Sequence, residues 1–271
     1  MAGHSLLHWY LQFVMPEIGQ CKLCDRADSF IKCHVFPKWS HRLLGAPFGL
    51  IISGVGDHAP KKAPNGIYDS KMVCDSCERT FDQPDRYAKR FFVDRDWRSP
   101  TLRIHDDFSA HVVHDADCTQ LRMFVLNTLW RCAVTGHQYC EKLDLGSRLT
   151  RLTDLVRARD TGSFSEFPIL LQRLRTSEAR PELDPVAVNE GPHTYVSDGR
   201  RVACMCLAGF RIHCCVDSRG FDGVQSKFSL NPGLPLIVLE TDILSTNFIK
   251  RVVRSVARSD HWRPIRPDVN S

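Results

Sequence analysis

Cys21-Lys22-Leu23-Cys24 and Cys74-Asp75-Ser76-Cys77 are two C-x2-C pairs in the first third of the chain, and Cys33-His34-Val35-Phe36-Pro37 lies between them. Each short-spaced pair aims two thiolates at one ion. Two such pairs complete the four-sulfur tetrahedral shell that structural zinc takes. The spacing predicts one zinc held by Cys21, Cys24, Cys74 and Cys77. Four separately buried thiols is the competing reading, and it fits poorly with pairs flanked by turn-forming and charged residues.

The elements that must position these pairs sit in a chain of 271 residues with 43% hydrophobic content, enough for one large globular domain or two modest ones. The segment from Cys21 to Asp85 has turn and loop character, with glycine and proline concentrated between Gly45 and Gly66. It is expected to have little core of its own, so that a metal substitutes for one. The expected division is a zinc-binding module over residues 1–90 and an α+β domain over residues 91–271. From Asp117 to Gly136, Leu121, Phe124, Val125, Thr128, Leu129 and Cys132 recur at helical spacing, the pattern of one buried helix face. Leu145, Leu149, Leu152, Leu155 and Val156 repeat it, leaving Arg148, Arg151, Arg157 and Arg159 on the other side. A third helix is expected from Ser165 to Glu178, completing a helical layer over about 118–178.

Apolar runs at His193–Val196, Val202–Leu207, Phe210–Val216 and Leu236–Glu240 predict an antiparallel meander over about 193–240. Asp198-Gly199 is a hairpin dipeptide, and Ala208-Gly209 offers a second turn. A final helix is expected over about 245–258, with Lys250, Arg251, Arg254 and Arg258 on one side. That face is read either as solvated or as a phosphate contact.

Composition bounds the partners. Twelve cysteines in a chain whose apolar opening, His4 to Met15, lacks a basic flank and a small-residue cleavage site point to a reducing compartment. No run approaches the roughly 18 to 20 apolar residues of a membrane span. The chain is therefore expected to be soluble and cytoplasmic, without a membrane partner. A net charge of +5 permits a polyanionic partner without requiring one.

Taken together, Cys21-x2-Cys24, Cys33-His34-Val35-Phe36-Pro37-Lys38 and Val73-Cys74-x2-Cys77-Glu78 resemble the zinc-stapled treble-clef (ββα-metal) form of the HNH nuclease family. The likeness covers about residues 18–90 and is nearest to a divergent bacterial branch, to which Leu129-Trp130-Arg131 is also similar. It implies a nuclease that hydrolyses DNA with magnesium or manganese, in antiphage or mobile-element biology. It further implies His34 as the base that activates water and Asp82, five residues after Cys77, as an oxygen ligand of the catalytic ion. Glu78 is implied as a catalytic ligand, while its own position fits equally a carboxylate at a helix start. Lys38 is expected to contact DNA. Two departures stand out: Cys33, a soft donor, precedes His34, and no asparagine lies just before Cys74. His34 is also open to a structural or zinc-ligating reading. The alternative for the whole is an inactive treble clef that binds nucleic acid or a protein partner.

The remaining candidates are less specific. His105, His111 and His114 lie among Asp106, Asp107, Asp115 and Asp117, open to a second metal site or to a chance polar loop. Cys204 and Cys206 alternate on an expected strand, and Cys214 and Cys215 face opposite sides, as packed small residues do. Cys118, Cys132 and Cys140 read as singletons.

Overall fold

The structure, a computed structural model, describes residues 17–43, 51–52, 61–62, 66–98, 102–105, 108–179, 181, 184–187 and 190–245. The expected final helix past Ser245, with Lys250, Arg251, Arg254 and Arg258, and the apolar opening at His4–Met15 lie outside the described residues.

Strands β1 (Ile18–Gln20) and β2 (Ala27–Ser29) form an antiparallel hairpin. Its turn is closed by the Cys21 N–H on the Arg26 carbonyl at 3.0 Å and the Asp25 N–H on the Cys21 carbonyl at 2.9 Å. β3 (Cys33–His34) leads into a short helix, Lys38–Arg42. After β4 (Ile51–Ile52) and β5 (Lys61–Lys62), β6 (Tyr68–Asp69) returns antiparallel to β3, setting His34 opposite Tyr68. Helix Asp75–Glu78 then runs through the turn Arg79–Phe81 into helix Asp82–Lys89 and a wider turn, Arg90–Asp94. The expected boundary near residue 90 falls inside this continuous helical stretch.

Downstream the fold is α+β. β7 (Leu102–His105) and β8 (Phe108–Val113) precede the long helix Cys118–Val134, whose start is capped by the Asp117 carboxylate accepting from the Gln120 N–H at 3.0 Å. Helix Arg148–Ala158 follows and ends at Arg159 in the left-handed region, φ 55°. β9 (Ile169–Arg175), β10 (Glu190–Ser197), β11 (Arg200–Leu207), β12 (Phe210–Cys215) and β13 (Leu236–Asp242) complete one seven-stranded sheet in the order β10-β11-β12-β9-β13-β8-β7. Both hairpin turns use positive φ at both central residues, Asp198 and Gly199 at 51° and 71°, Ala208 and Gly209 at 51° and 79°. That twist matches the flanking strands.

Three expectations change. Residues 169–175 form a strand where a helix was expected over Ser165–Glu178. Ile169, Leu170, Leu171 and Leu174 are buried on both faces of the sheet, and such an apolar run fits either period until its neighbours select one. Here β12 pairs with β9 on one side and β13 on the other. The sheet is also mixed rather than wholly antiparallel, because β13 runs parallel to β9, and it takes in β7 and β8, which the sequence reading left out. Finally, the cysteine segment does not lack a core. Leu23, Val35, Phe36, Ile67, Met72, Val73 and Phe81 are buried in one cluster with Trp130 of the long helix and Phe210 and Val238 of the sheet.

The reason is the long helix itself. Every residue from Leu121 to Cys132 is buried, so it presents apolar surface all round and takes the cysteine segment on one side and the sheet on the other. Burying such surface contributes roughly 25 cal/mol per Å2.

Candidate metal centre

The two hairpin strands β1 and β2 bring Cys21 and Cys24 to one side of a tight turn, and Asp25 at φ 58° lets the chain reverse directly after the second sulfur. Two cations hold this turn against the helices. Lys22 Nζ donates to the Val134 carbonyl at 2.7 Å, and Arg157 donates to the Leu23 carbonyl and pairs with Asp25 at 3.0 Å. The second pair arrives differently. Cys74 immediately precedes helix Asp75–Glu78 and Cys77 lies within it; the Lys22 N–H on the Met72 carbonyl and the Phe30–Cys74 bridge align that approach with the hairpin.

The four sulfurs lie within 4.8 Å of one another. Cys24 Sγ and Cys74 Sγ are 3.9 Å apart, close to the about 3.8 Å edge of a tetrahedron with Zn–S bonds of about 2.3 Å. Cys21, Cys74 and Cys77 are buried and Cys24 is partly exposed. The four cysteines are placed to hold a metal ion, and an all-sulfur donor set of this size is compatible with structural zinc. Burial raises the Cys24 thiol, but the Arg26 guanidinium at 3.5 Å, the Arg26 N–H and the Cys21 and Cys77 thiols outweigh it and bring it down to about 6. Burial and the adjoining sulfurs push Cys77 up, and burial does the same to Cys21. Several thiolates crowded together repel one another until a cation sits among them.

Among the described residues, this is the one group of three or more His, Cys, Asp or Glu side chains gathered tightly enough for an ion. His34, Glu78 and Asp82 do not form another. His34 is partly exposed on β3, with its ring 6.5 Å from those of Tyr68 and His41. Burial and the neighbouring His34 push the His41 imidazole down to about 4, and its Nε2 accepts from the Ile67 N–H at 3.3 Å. Glu78 is half-buried, and burial together with Asp82 raises its carboxyl. Asp82 and Lys38 are exposed. Cys33 is fully buried, and that burial pushes its thiol up to about 12, so it stays neutral.

What the sequence reading missed is the pair beneath this surface. Arg131 of the long helix makes a two-pronged contact with Asp85 at 2.9 and 3.0 Å, donates to the His34 carbonyl at 3.2 Å and stacks over Phe81. Burial acts to lower the guanidinium, but Asp85 and Cys33 hold it above its ordinary value; burial raises the Asp85 carboxyl against the pull of Arg131. One buried cation thus fixes β3 to helix Asp82–Lys89. Arg131 was visible only as part of a tripeptide, and nothing in its spacing named Asp85. The second histidine cluster also resolves: His111 is buried against Glu240 at 2.9 Å, His114 is exposed, and the His105 side chain and Asp106–Asp107 lie outside the described residues.

No family model matches the chain, and no curated protein or solved structure is significantly similar to it. Among the described residues, no helix is long and apolar enough to cross a membrane.

Proposed function

We propose that residues 17–89 are a zinc-stapled treble clef of the HNH kind and that the protein cleaves DNA with a divalent cation. The observation that carries this reading is the position of His34. It sits, partly exposed, on β3, which pairs antiparallel with β6 in a two-stranded sheet that lies in sequence between the Cys21–Cys24 turn and the helix that Cys74 precedes. A cysteine turn, a strand pair and a helix in that order support the treble-clef reading. In this reading His34 takes the proton of the attacking water. Glu78, at the end of helix Asp75–Glu78, and Asp82, at the start of helix Asp82–Lys89, hold magnesium or manganese, which suits their oxygen donors. Exposed Lys38 contacts a phosphate, as do Lys250, Arg251, Arg254 and Arg258. Cys33, buried and neutral, stays out of the ion's coordination.

A second reading, a treble clef that binds nucleic acid or a protein without cleaving, is favoured by one observation: His34, Glu78 and Asp82 do not gather as an ion-holding group. Plasmid incubation with magnesium or manganese separates the two. The nuclease reading expects cleavage that His34→Ala abolishes while zinc content and folding stay intact. Unchanged cleavage by His34→Ala removes it, and loss of zinc in that variant makes His34 structural.

A further inference from the structure

A cleft of ≈ 560 Å3, with none of the metal-site cysteines in its lining, opens between the wide turn after helix Asp82–Lys89, the end of β9 and the β11–β12 turn. Four arginines line it: Arg95, Arg98, Arg173 and Arg175. Two are held in place. Arg95 donates to both oxygens of Asp115 at 2.8 Å and lies over the rings of Phe91 and Trp97. Arg173 donates through Nη1 to Glu240 Oε1 at 2.7 Å.

The support behind Arg173 is unusual for a sheet interior. Glu240 on β13 is buried and also accepts from Ser109 Oγ at 2.6 Å, and it meets His111 Nε2 at 2.9 Å, both on β8. Trp97 covers His111 edge-on at 5.0 Å, with its indole N–H donated to the Phe91 carbonyl. Burial raises Glu240, and His111, Ser109 and Arg173 outweigh this and bring it down to about 2, so it stays a carboxylate. The member of this network that reaches the cleft is Arg173, a quarter exposed. Isolated ionised groups are costly to bury, and here they are satisfied in a way that fixes the direction of one guanidinium.

The cleft also carries Asp94, Asp96 and Asp184, three carboxylates against the four guanidiniums. Asp94 pairs with Lys89 at 3.2 Å, Asp96 accepts from the Arg98 N–H at 3.0 Å, and Asp184 accepts from the Val186 N–H at 2.9 Å. Arg98, by contrast, is almost wholly exposed, with only a 3.7 Å approach to Asp96. We infer that this cleft is a binding site for a phosphate-bearing ligand, with Arg173 as the fixed fork at its wall and Arg95, Arg98 and Arg175 closing on the remaining oxygens. Guanidinium forks match phosphate oxygens in pairs, and a cavity of this size exceeds what a lone carboxylate fills. The site is separate from His34 and does not depend on the nuclease reading.

Calorimetric titration of the full chain with inorganic pyrophosphate, in chloride buffer free of divalent ions, tests it. The expected result is saturable one-site binding. Arg175→Glu and Arg173→Lys should each weaken it by about tenfold or more, the loss of one charge-assisted contact. Arg173→Lys keeps a cation for Glu240 and so preserves the fold while removing the fork; Arg175→Glu changes an exposed side chain. His34→Ala should bind as wild type does. No saturable binding by the wild type, or wild-type affinity in both arginine variants, overturns the proposal. A short single-stranded oligonucleotide supplies the second arm. Competition with pyrophosphate that disappears in the same variants makes nucleic acid the source of the phosphate; the absence of competition makes it a free small molecule. Both results keep the cleft.

Discussion

The chain has two sets of four cysteines that do opposite things, one with Cys24 partly exposed and the other wholly buried. Cys21, Cys24, Cys74 and Cys77 converge within 4.8 Å, whereas Cys204, Cys206, Cys214 and Cys215 are spread over β11 and β12. Backbone form decides the difference. Two residues along a strand separate side chains by about 6.6 Å, well beyond the about 3.8 Å between ligands of one zinc. Moreover, Cys214 lies opposite Ala203 while Cys215 lies opposite Val202, on the other face. A C-x2-C turn brings its sulfurs together; C-x-C on a strand holds them apart. The surroundings follow suit. Burial pushes Cys204 and Cys214 up to about 12, against nearby Arg211 and Arg122, while Arg26 helps to bring Cys24 down to about 6. Backbone form and depth of burial together therefore set a cysteine's chemistry.

The largest effect separating the two sets should come from removing a converging sulfur. Cys74→Ser is expected to lower the zinc content from one per chain to none by elemental analysis. It should also remove folding free energy on the order of several kcal/mol from residues 17–89. Because that segment shares its core with Trp130 and the long helix, the loss should appear in amide exchange as loosening of β1–β3 and helix Asp75–Glu78, with the sheet still protected. A variant that keeps its zinc, or a sheet that unfolds together with the module, breaks the comparison.

Next in size is the Arg131–Asp85 pair. Asp85→Ala leaves a buried guanidinium without its carboxylate and should cost about 3–5 kcal/mol in urea denaturation. Since Arg131 also donates to the His34 carbonyl, the β3–β6 pairing should loosen as well. A cost below about 1 kcal/mol, the range of an exposed pair, would mean that the fork is solvated.

The Glu240 network gives a pH signature in the acid range. Its carboxyl falls from an ordinary 4.5 to about 2 in the folded protein. A depressed carboxylate stabilises above its unfolded value, so the contribution is present above pH 4.5 and is lost as pH falls towards 2. Its size is about 3 kcal/mol, from a fall of about two to three pKa units. Glu240→Gln should flatten stability against pH across that window; an unchanged slope would assign it to other carboxylates.

How much of this was legible in the sequence follows from range. The four metal-holding cysteines were readable because each pair is local, and only the meeting of the pairs needed the fold. The hairpin dipeptides Asp198-Gly199 and Ala208-Gly209 were readable for the same reason. Ile169–Arg175 was not, because its apolar run fits both periods and only β12 and β13 select the strand. Asp85 with Arg131, and Glu240 with His111 and Arg173, join residues far apart in sequence. No spacing rule reaches them.

The smallest expected effect completes the contrast. Cys214→Ala removes a buried core sulfur that donates to the Phe167 carbonyl at 3.8 Å, on a residue opposite Ala203. It should leave zinc at one per chain and cost about 1 kcal/mol, the order of one small buried group. Reactivity gives the sharper reading, because the thiolate is the nucleophile. At neutral pH, Cys204 and Cys214, raised to about 12, should resist iodoacetamide both with metal bound and after chelation. Cys24, partly exposed and beside Arg26, should be alkylated only once chelator has removed the ion. Peptide mapping by mass spectrometry reads both sets in one digest. Labelling of Cys204 or Cys214 in the folded protein would show that strand burial does not silence a thiol, and protection of Cys24 after chelation would show that the turn, rather than the ion, shields it.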